Sequence, residues 1–220
     1  MPHAAVFLTF LTALLLLEIT PGPDMMLVLA RGIGQGRRTA LLTMAGIVFV
    51  AGVVQVGLLV LGVASLLQAY PPGLIALRWI GGAYLAYLGL RMVGSRANGR
   101  ETAAAGRSSP WQALREGTVN NLTNPKSLLF MFAFLPQFVD PAVGPVWLQL
   151  LVFGSIQKLT GILSLGSVAM ASGTIGQYLH RFPRLLVWQT RFTGLIMVGL
   201  GLRLLMTSDA PAVGIRAGAR

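Results

Sequence analysis

A chain of 220 residues that is 55% hydrophobic and 10% charged, with mean hydropathy +0.72, does not fit a soluble domain, where roughly 25% of residues are charged. With no cysteine there are no disulfides, thiolate metal sites or dithiol relays, and His3 and His180 are too far apart in sequence to suggest a metal cluster. The net charge of +11 does not indicate nucleic-acid binding, because the basic residues are spread through the connections rather than gathered in a patch with interleaved aromatics.

Crossing ~30 Å of hydrocarbon takes about 17 to 25 apolar residues in a helix. Stretches of that kind run over 4–19, 41–67, 74–92, 146–171 and 185–206, with a shorter one at 128–139. The first has no basic segment before it and no small-residue cleavage site before Pro21, so it is expected to be retained as a span. Lipid leaves backbone groups without partners, and the runs lack period-2 alternation, so helices rather than a barrel are predicted. The expected fold is an all-α membrane protein of six transmembrane helices.

Within the first run, Pro21-Gly22-Pro23 should break the helix, since proline lacks the N–H and clashes with the preceding turn. Asp24 then falls in the first turn of the resumed helix. It suits the positive end of that helix, and it equally suits a substrate ammonium or a proton. Glu18 lies deeper, where a carboxylate costs ~2.5–3.5 kcal/mol on insertion scales, which points to function. In the second span Ala45, Gly52, Gln55, Leu59 and Gly62 share a face, and in the third Gly82, Ala86 and Gly89 do, a spacing that favours close helix packing, with Gln55 as a polar-core candidate.

Residues 95–109, rich in Gly, Ala, Arg and Ser, read as a loop between two halves of one transporter domain, 1–208, with halves at about 4–94 and 110–207 and a tail at 209–220. In the second half Asn120, Asn121, Asn124, Pro125 and Lys126 form a polar cluster at a second break, where Asn amides can recognise amino and carboxylate groups. In the fifth span Gly154, Lys158 and Gly161 share one face and Gln157, Gly161 and Ser164 an overlapping one, so this side should point inward, and Lys158 is expected to pair with Glu18 or Asp24. The halves also match in order: Gly82 is followed seven residues on by Gly89-Leu90-Arg91, and Gly194 by Gly201-Leu202-Arg203. Three spans per half require opposite orientations, hence a 3+3 inverted repeat with helices 1 and 4 broken at proline.

Arginines 31, 37 and 38, then 91, 96, 100, 107 and 115, then 181 and 184 lie between apolar stretches, whereas 68–73 and 140–145 hold no Lys or Arg. This bias places the basic loops in the cytoplasm and the N-terminus outside, with Arg203, Arg216 and Arg220 opposing it at the other end.

Thr20-Pro21-Gly22-Pro23, Gly36-Arg37-Arg38 with Gly46, the run Trp79 to Gly89, Asn120-Asn121-Leu122-Thr123-Asn124-Pro125-Lys126 and Phe134-Leu135-Pro136-Gln137-Phe138 occur in that order. In these residues the chain resembles the lysine exporter/homoserine-threonine exporter (LysE/RhtB) family of bacterial amino-acid efflux proteins. The resemblance implies export of an amino acid or related small metabolite, driven by the proton gradient of the bacterial inner membrane, with the two breaks facing each other. No nucleophile, base and orienting group can be assembled from the spacing, so no enzyme activity is expected. Where members often carry an acidic residue in the fifth span this chain has Lys158, and its second span lacks the acidic or histidine residue some members have; an anionic solute would suit that change. Partners are then the small solute, protons and the bilayer, with no nucleic acid, cofactor or metal, and a homo-oligomer is compatible with the sequence. The alternatives are a permease for a cation or other small solute and a non-transporting scaffold. Thiol-disulfide transporters with proline-broken helices are removed by the lack of cysteine.

Overall fold

The computed structural model describes residues 4–19, 21–65, 73–94, 108–181 and 183–206. Thr20, the connection 68–72, loop residues 95–107, His3 and the tail 209–220 lie outside the described residues. Those described form an all-α structure with no strand among them. Helix α1 is Ala4–Ile19, α2 Pro23–Gln35, α4 Gly73–Gly94, α5 Pro110–Thr123, α7 Val146–Arg181 and α8 Pro183–Met206. Helix α3 spans Arg37–Val63 and includes π-helical turns at Gly46–Val50 and Leu59–Val63. Helix α6 starts as Pro125–Leu129, widens into a π turn at Phe130–Phe134 and tightens to a 3₁₀ turn at Leu135–Phe138.

Arg37–Val63 and Val146–Gly173 are long and apolar enough to cross a membrane singly, and Val6–Ile19 with Pro23–Gln35, bent by 42° at the proline break, form a third such unit. Large apolar side chains face outward along these helices, among them Leu8 and Ile19 on α1, Val53 and Leu61 on α3, and Leu159 and Leu163 on α7. Water would not tolerate so much contiguous apolar surface; lipid does.

Two apolar clusters divide the interior. One is aromatic, built from Phe10 and Leu14 of α1, Phe130, Phe134 and Phe138 of α6, and Phe153 of α7, with the Phe10 and Phe153 rings 4.6 Å apart. The other packs Val28 of α2 against Met44, Ile47 and Val48 of α3 and Leu165 and Ala169 of α7.

Glycine sets the closest helix contacts. A Cβ at Gly46 would stand 2.0 Å from the Leu114 carbonyl oxygen and one at Gly117 2.1 Å from that of Thr43, so α3 and α5 lie backbone to backbone. Between α4 and α8 the pairing is reciprocal, Gly82 against Gly201 and Gly89 against Gly194. The packing role expected of Gly82 and Gly89 is what the structure shows. Gly62 departs from its expected face and is exposed, because the π turn at Leu59–Val63 shifts the helical register after Leu59, while Gly52, Gln55 and Leu59 are buried as expected.

Gly201→Val should push α8 off α4, since its Cβ would lie 2.6 Å from the Gly82 carbonyl oxygen. The expected loss is about 1–3 kcal/mol, seen as a lower Tm in detergent, whereas Gly199→Val, with nothing within 4 Å of its Cβ, should leave Tm unchanged.

Candidate functional site

Each proline break frees a carbonyl. In an unbroken helix the carbonyl of residue i accepts from the N–H of i+4, but Pro21 and Pro125 have no N–H to give to Leu17 and Asn121. Lys126 Nζ, from a distant helix, donates to the Leu17 oxygen at 2.6 Å, and the Asn121 oxygen accepts from the Asn124 backbone N–H at 3.2 Å and from Gln55 Nε2 at 3.4 Å. The two breaks touch, since a Cβ on Gly22 would lie 3.0 Å from Lys126 Cδ. The peptide oxygens at both breaks are therefore occupied in this conformation.

Helix α2 starts with Gly22 as N-cap, Pro23 in its first turn and Asp24 next to it. The Asp24 carboxylate accepts three amide donors from the end of α5 and its junction with α6: Asn120 Nδ2 at 2.7 Å on one oxygen, and Asn121 Nδ2 at 2.7 Å and Asn124 Nδ2 at 2.8 Å on the other. Asn124 also caps α6, its Oδ1 accepting from the Lys126 N–H at 3.0 Å. The asparagines expected to meet a solute are thus committed to Asp24, the closest polar partners the fold brings them.

Lys158 is buried on α7, and its stem packs 3.2 Å from where a Gly52 Cβ would be. Its ammonium donates to Gln55 Oε1 and to Asn121 Oδ1 at 3.3 Å. It does not pair directly with Glu18 or Asp24, as the sequence reading expected. The Asn121 amide stands between, accepting from Lys158 and donating to Asp24, so charge compensation runs through a neutral group. Ser127, missed in the sequence, completes this network by donating to Gln55 Oε1 and accepting from Asn121 Nδ2. Ser164, on the side of α7 expected to point inward, donates to Glu18.

A cavity of about 50 Å³ lies at the centre, between the two apolar clusters, since Leu17 of one and Ile47, Val48 and Leu165 of the other line it. Its polar wall is Glu18, Asp24, Asn121, Asn124, Lys126, Gln157 and Lys158, with Gly22 beside them. Gln157 Oε1 is buried without a partner. Among the predicted site residues, Gln55 stands behind this wall, Asn120 flanks it, and Pro21, Pro23 and Pro125 shape the breaks without lining the cavity. A water takes roughly 30 Å³ of the liquid, so the cavity holds one or two and is closed to an amino acid in this conformation. No group of three or more His, Asp or Glu that would hold a metal occurs among the described residues.

Residues 15–208 match the profile of the LysE type translocator. The chain belongs to that family. It is therefore a transporter embedded in a membrane by several helices, and not an enzyme. It is 34% identical to an uncharacterised membrane protein of Pseudomonas aeruginosa over 90% of this chain and 94% of the relative. It is 30% identical to a leucine efflux protein of an Enterobacter species, over 90% and 94%, and 31% identical to an uncharacterised membrane protein of Vibrio cholerae, over 93% and 98%. No solved structure matches the chain.

Asn124→Ala removes both the cap of α6 and one donor to Asp24, so it should cost about 1 kcal/mol for the cap alone and more in total than Asn120→Ala, which removes only a donor. Thermal unfolding of the two purified variants side by side measures that order.

Proposed function

We propose that this LysE-family transporter exports an amino acid from the cytoplasm across the bacterial inner membrane, with efflux driven by the proton gradient. The observation that carries the reading is one small cavity bounded by two carboxylates, Glu18 and Asp24, and two ammonium groups, Lys126 and Lys158. An amino acid carries one charge of each sign, and a site with both signs and an unpartnered acceptor, Gln157 Oε1, complements it better than it complements a simple cation or anion. The leucine efflux relatives favour a large aliphatic amino acid as cargo. A scaffold has no use for four charges around a cavity, Lys158 buried and Glu18, Asp24 and Lys126 half-buried, each costly to place in hydrocarbon.

In this reading α4, the α5–α6 pair and α8 complete six spans with the N-terminus outside, and the two halves form a 3+3 inverted repeat. The reciprocal pairing of Gly82 with Gly201 and Gly89 with Gly194 supports it, because two equivalent helices crossing on a pseudo-twofold axis make each contact twice. Alternating access then rocks the halves about the two breaks. Pro21 to Asp24 and Asn120 to Lys126 form the substrate gate, with Gln55, Gln157 and Lys158 as polar support. Glu18 is the proton site of this scheme: its hydrogen-bond donor is a neutral hydroxyl, Ser164, whereas Asp24 is held by three amides.

Two measurements in inverted membrane vesicles test this. The unaltered protein should concentrate labelled leucine when the vesicles are energised, and Asp24→Asn should lower the rate by at least about tenfold, the effect of weakening charge-assisted hydrogen bonds worth roughly 1.5–3 kcal/mol; failure of the unaltered protein to move leucine or any other amino acid overturns the reading. Glu18→Gln should abolish accumulation against a gradient yet keep leucine exchange at equal concentrations; equal loss of both would remove the proton role from Glu18.

A further inference from the structure

Apart from the central cavity, the polar residues of α2 and α5 enclose a larger space. At the end of the fold where α2 finishes and α5 begins, a cleft of about 600 Å³ is lined by Leu27 and Arg31 of α2 and by Arg115, Glu116, Val119 and Asn120 of α5, among others. The sequence places Arg31 among the loop arginines, but the structure buries it inside α2, with side-chain exposure of 8%. Its Nη1 donates to Ser108 Oγ at 2.7 Å and its Nη2 is ion-paired with Glu116. Gln35 Oε1 holds the Ser108 N–H at 3.0 Å, so the end of α2 clasps the start of α5. Arg31 Nε is buried with no partner.

A guanidinium binds a carboxylate best through two parallel N–H donors. Here Glu116 takes Nη2 through a single oxygen and Nε is left over, so the Nε/Nη2 edge of the fork is half used. Glu116 itself is 41% exposed and can leave that position without being desolvated. Asn120 lines the cleft and its amide donates to Asp24, which lines the central cavity, so this side chain links the two spaces. The central cavity at about 50 Å³ is closed to an amino acid, while the cleft at about 600 Å³ accommodates one with an aliphatic side chain against Leu27 and Val119.

Building on the export reading above, we propose that this cleft is the entry site for the amino-acid zwitterion, whose carboxylate takes the Nε/Nη2 edge of Arg31 and whose ammonium takes Glu116. The incoming zwitterion exchanges with the ion pair, since each of its charges replaces one member. Binding thereby releases the clasp between α2 and α5 and leaves the substrate against Asn120, which links the cleft to Asp24. Arg31 and Glu116 act as specificity residues for a free carboxylate and a free ammonium on the same molecule, and the end of the fold they close is the one we assign to the cytoplasm.

The test is leucine uptake kinetics in inverted vesicles, where the cytoplasmic face is exposed, with thermal stability measured on each purified variant. Arg31→Lys keeps an ion pair with Glu116 and loses the fork; it should raise the KM for leucine about tenfold or more with little change in kcat. The Arg31→Glu/Glu116→Arg double variant restores an ion pair of reversed polarity, and should recover Tm while KM stays high. An unchanged KM in Arg31→Lys, or full recovery of KM in the reversed pair, overturns the entry site and leaves a structural clasp. If the unaltered protein takes up neither leucine nor any other amino acid, the export reading and this inference fall together; uptake that is present with an unchanged KM in Arg31→Lys overturns this inference alone.

Discussion

The site is organised by two peptide carbonyls, those of Leu17 and Asn121, that lose the usual i+4 donor because that residue is proline; Asn121 keeps one backbone donor, the Asn124 N–H at 3.2 Å. Within a bilayer such groups cannot turn to water, and each costs several kcal/mol if left alone. The chain answers by bringing a side chain from another segment to each, Lys126 to one and Gln55 to the other. Those two bonds tie the first break to α6 and the second break to α3, and they draw the flanking charges together.

Around that pair the fold compensates buried charge through neutral groups. Asn121 accepts from Lys158 and donates to Asp24 and Ser127; Gln55 accepts from Lys158 and Ser127 and donates to the Asn121 carbonyl. Direct ion pairs in a low-dielectric interior are strong and hard to open. An amide relay satisfies the same charges with bonds that can be exchanged singly, which suits a site that must release its cargo. The direct ion pair at the edge of the site, Arg31 with Glu116, sits where one partner is half exposed and separation is less costly.

The apolar parts hold this polar layer in place. The phenylalanine cluster packs α1, α6 and α7 on one side, and the aliphatic cluster packs α2, α3 and α7 on the other. Gly46 and Gly117 set α5 directly against α3, the approach that brings Asn121 within reach of Gln55. Substituting either glycine would act on the site through the backbone, without touching a polar group.

By itself the sequence determined the membrane class, the helical fold, the positions of both breaks and most residues of the cavity wall, including Glu18, Asp24, Asn121, Asn124, Lys126, Gln157 and Lys158. Those features follow from local rules: hydrocarbon thickness sets apolar length, proline removes a donor at a fixed offset, and a charge inside an apolar run stands out by its cost. Which donor meets which acceptor was decided only by tertiary structure. Lys158 reaches Asp24 through Asn121 rather than directly, Gly62 turns outward because two π turns shift the register of α3, and Arg31 is drawn from an apparent loop into a buried clasp with Glu116 and Ser108. Ser127 gave no signal, since a serine in a membrane helix is ordinary until its neighbours are known, and Ser164 was legible as part of an inward face but not as the partner of Glu18. Partners 77 to 146 residues apart, as in Arg31 with Ser108 and Ser164 with Glu18, depend on how helices cross, and spacing along one chain holds no record of that.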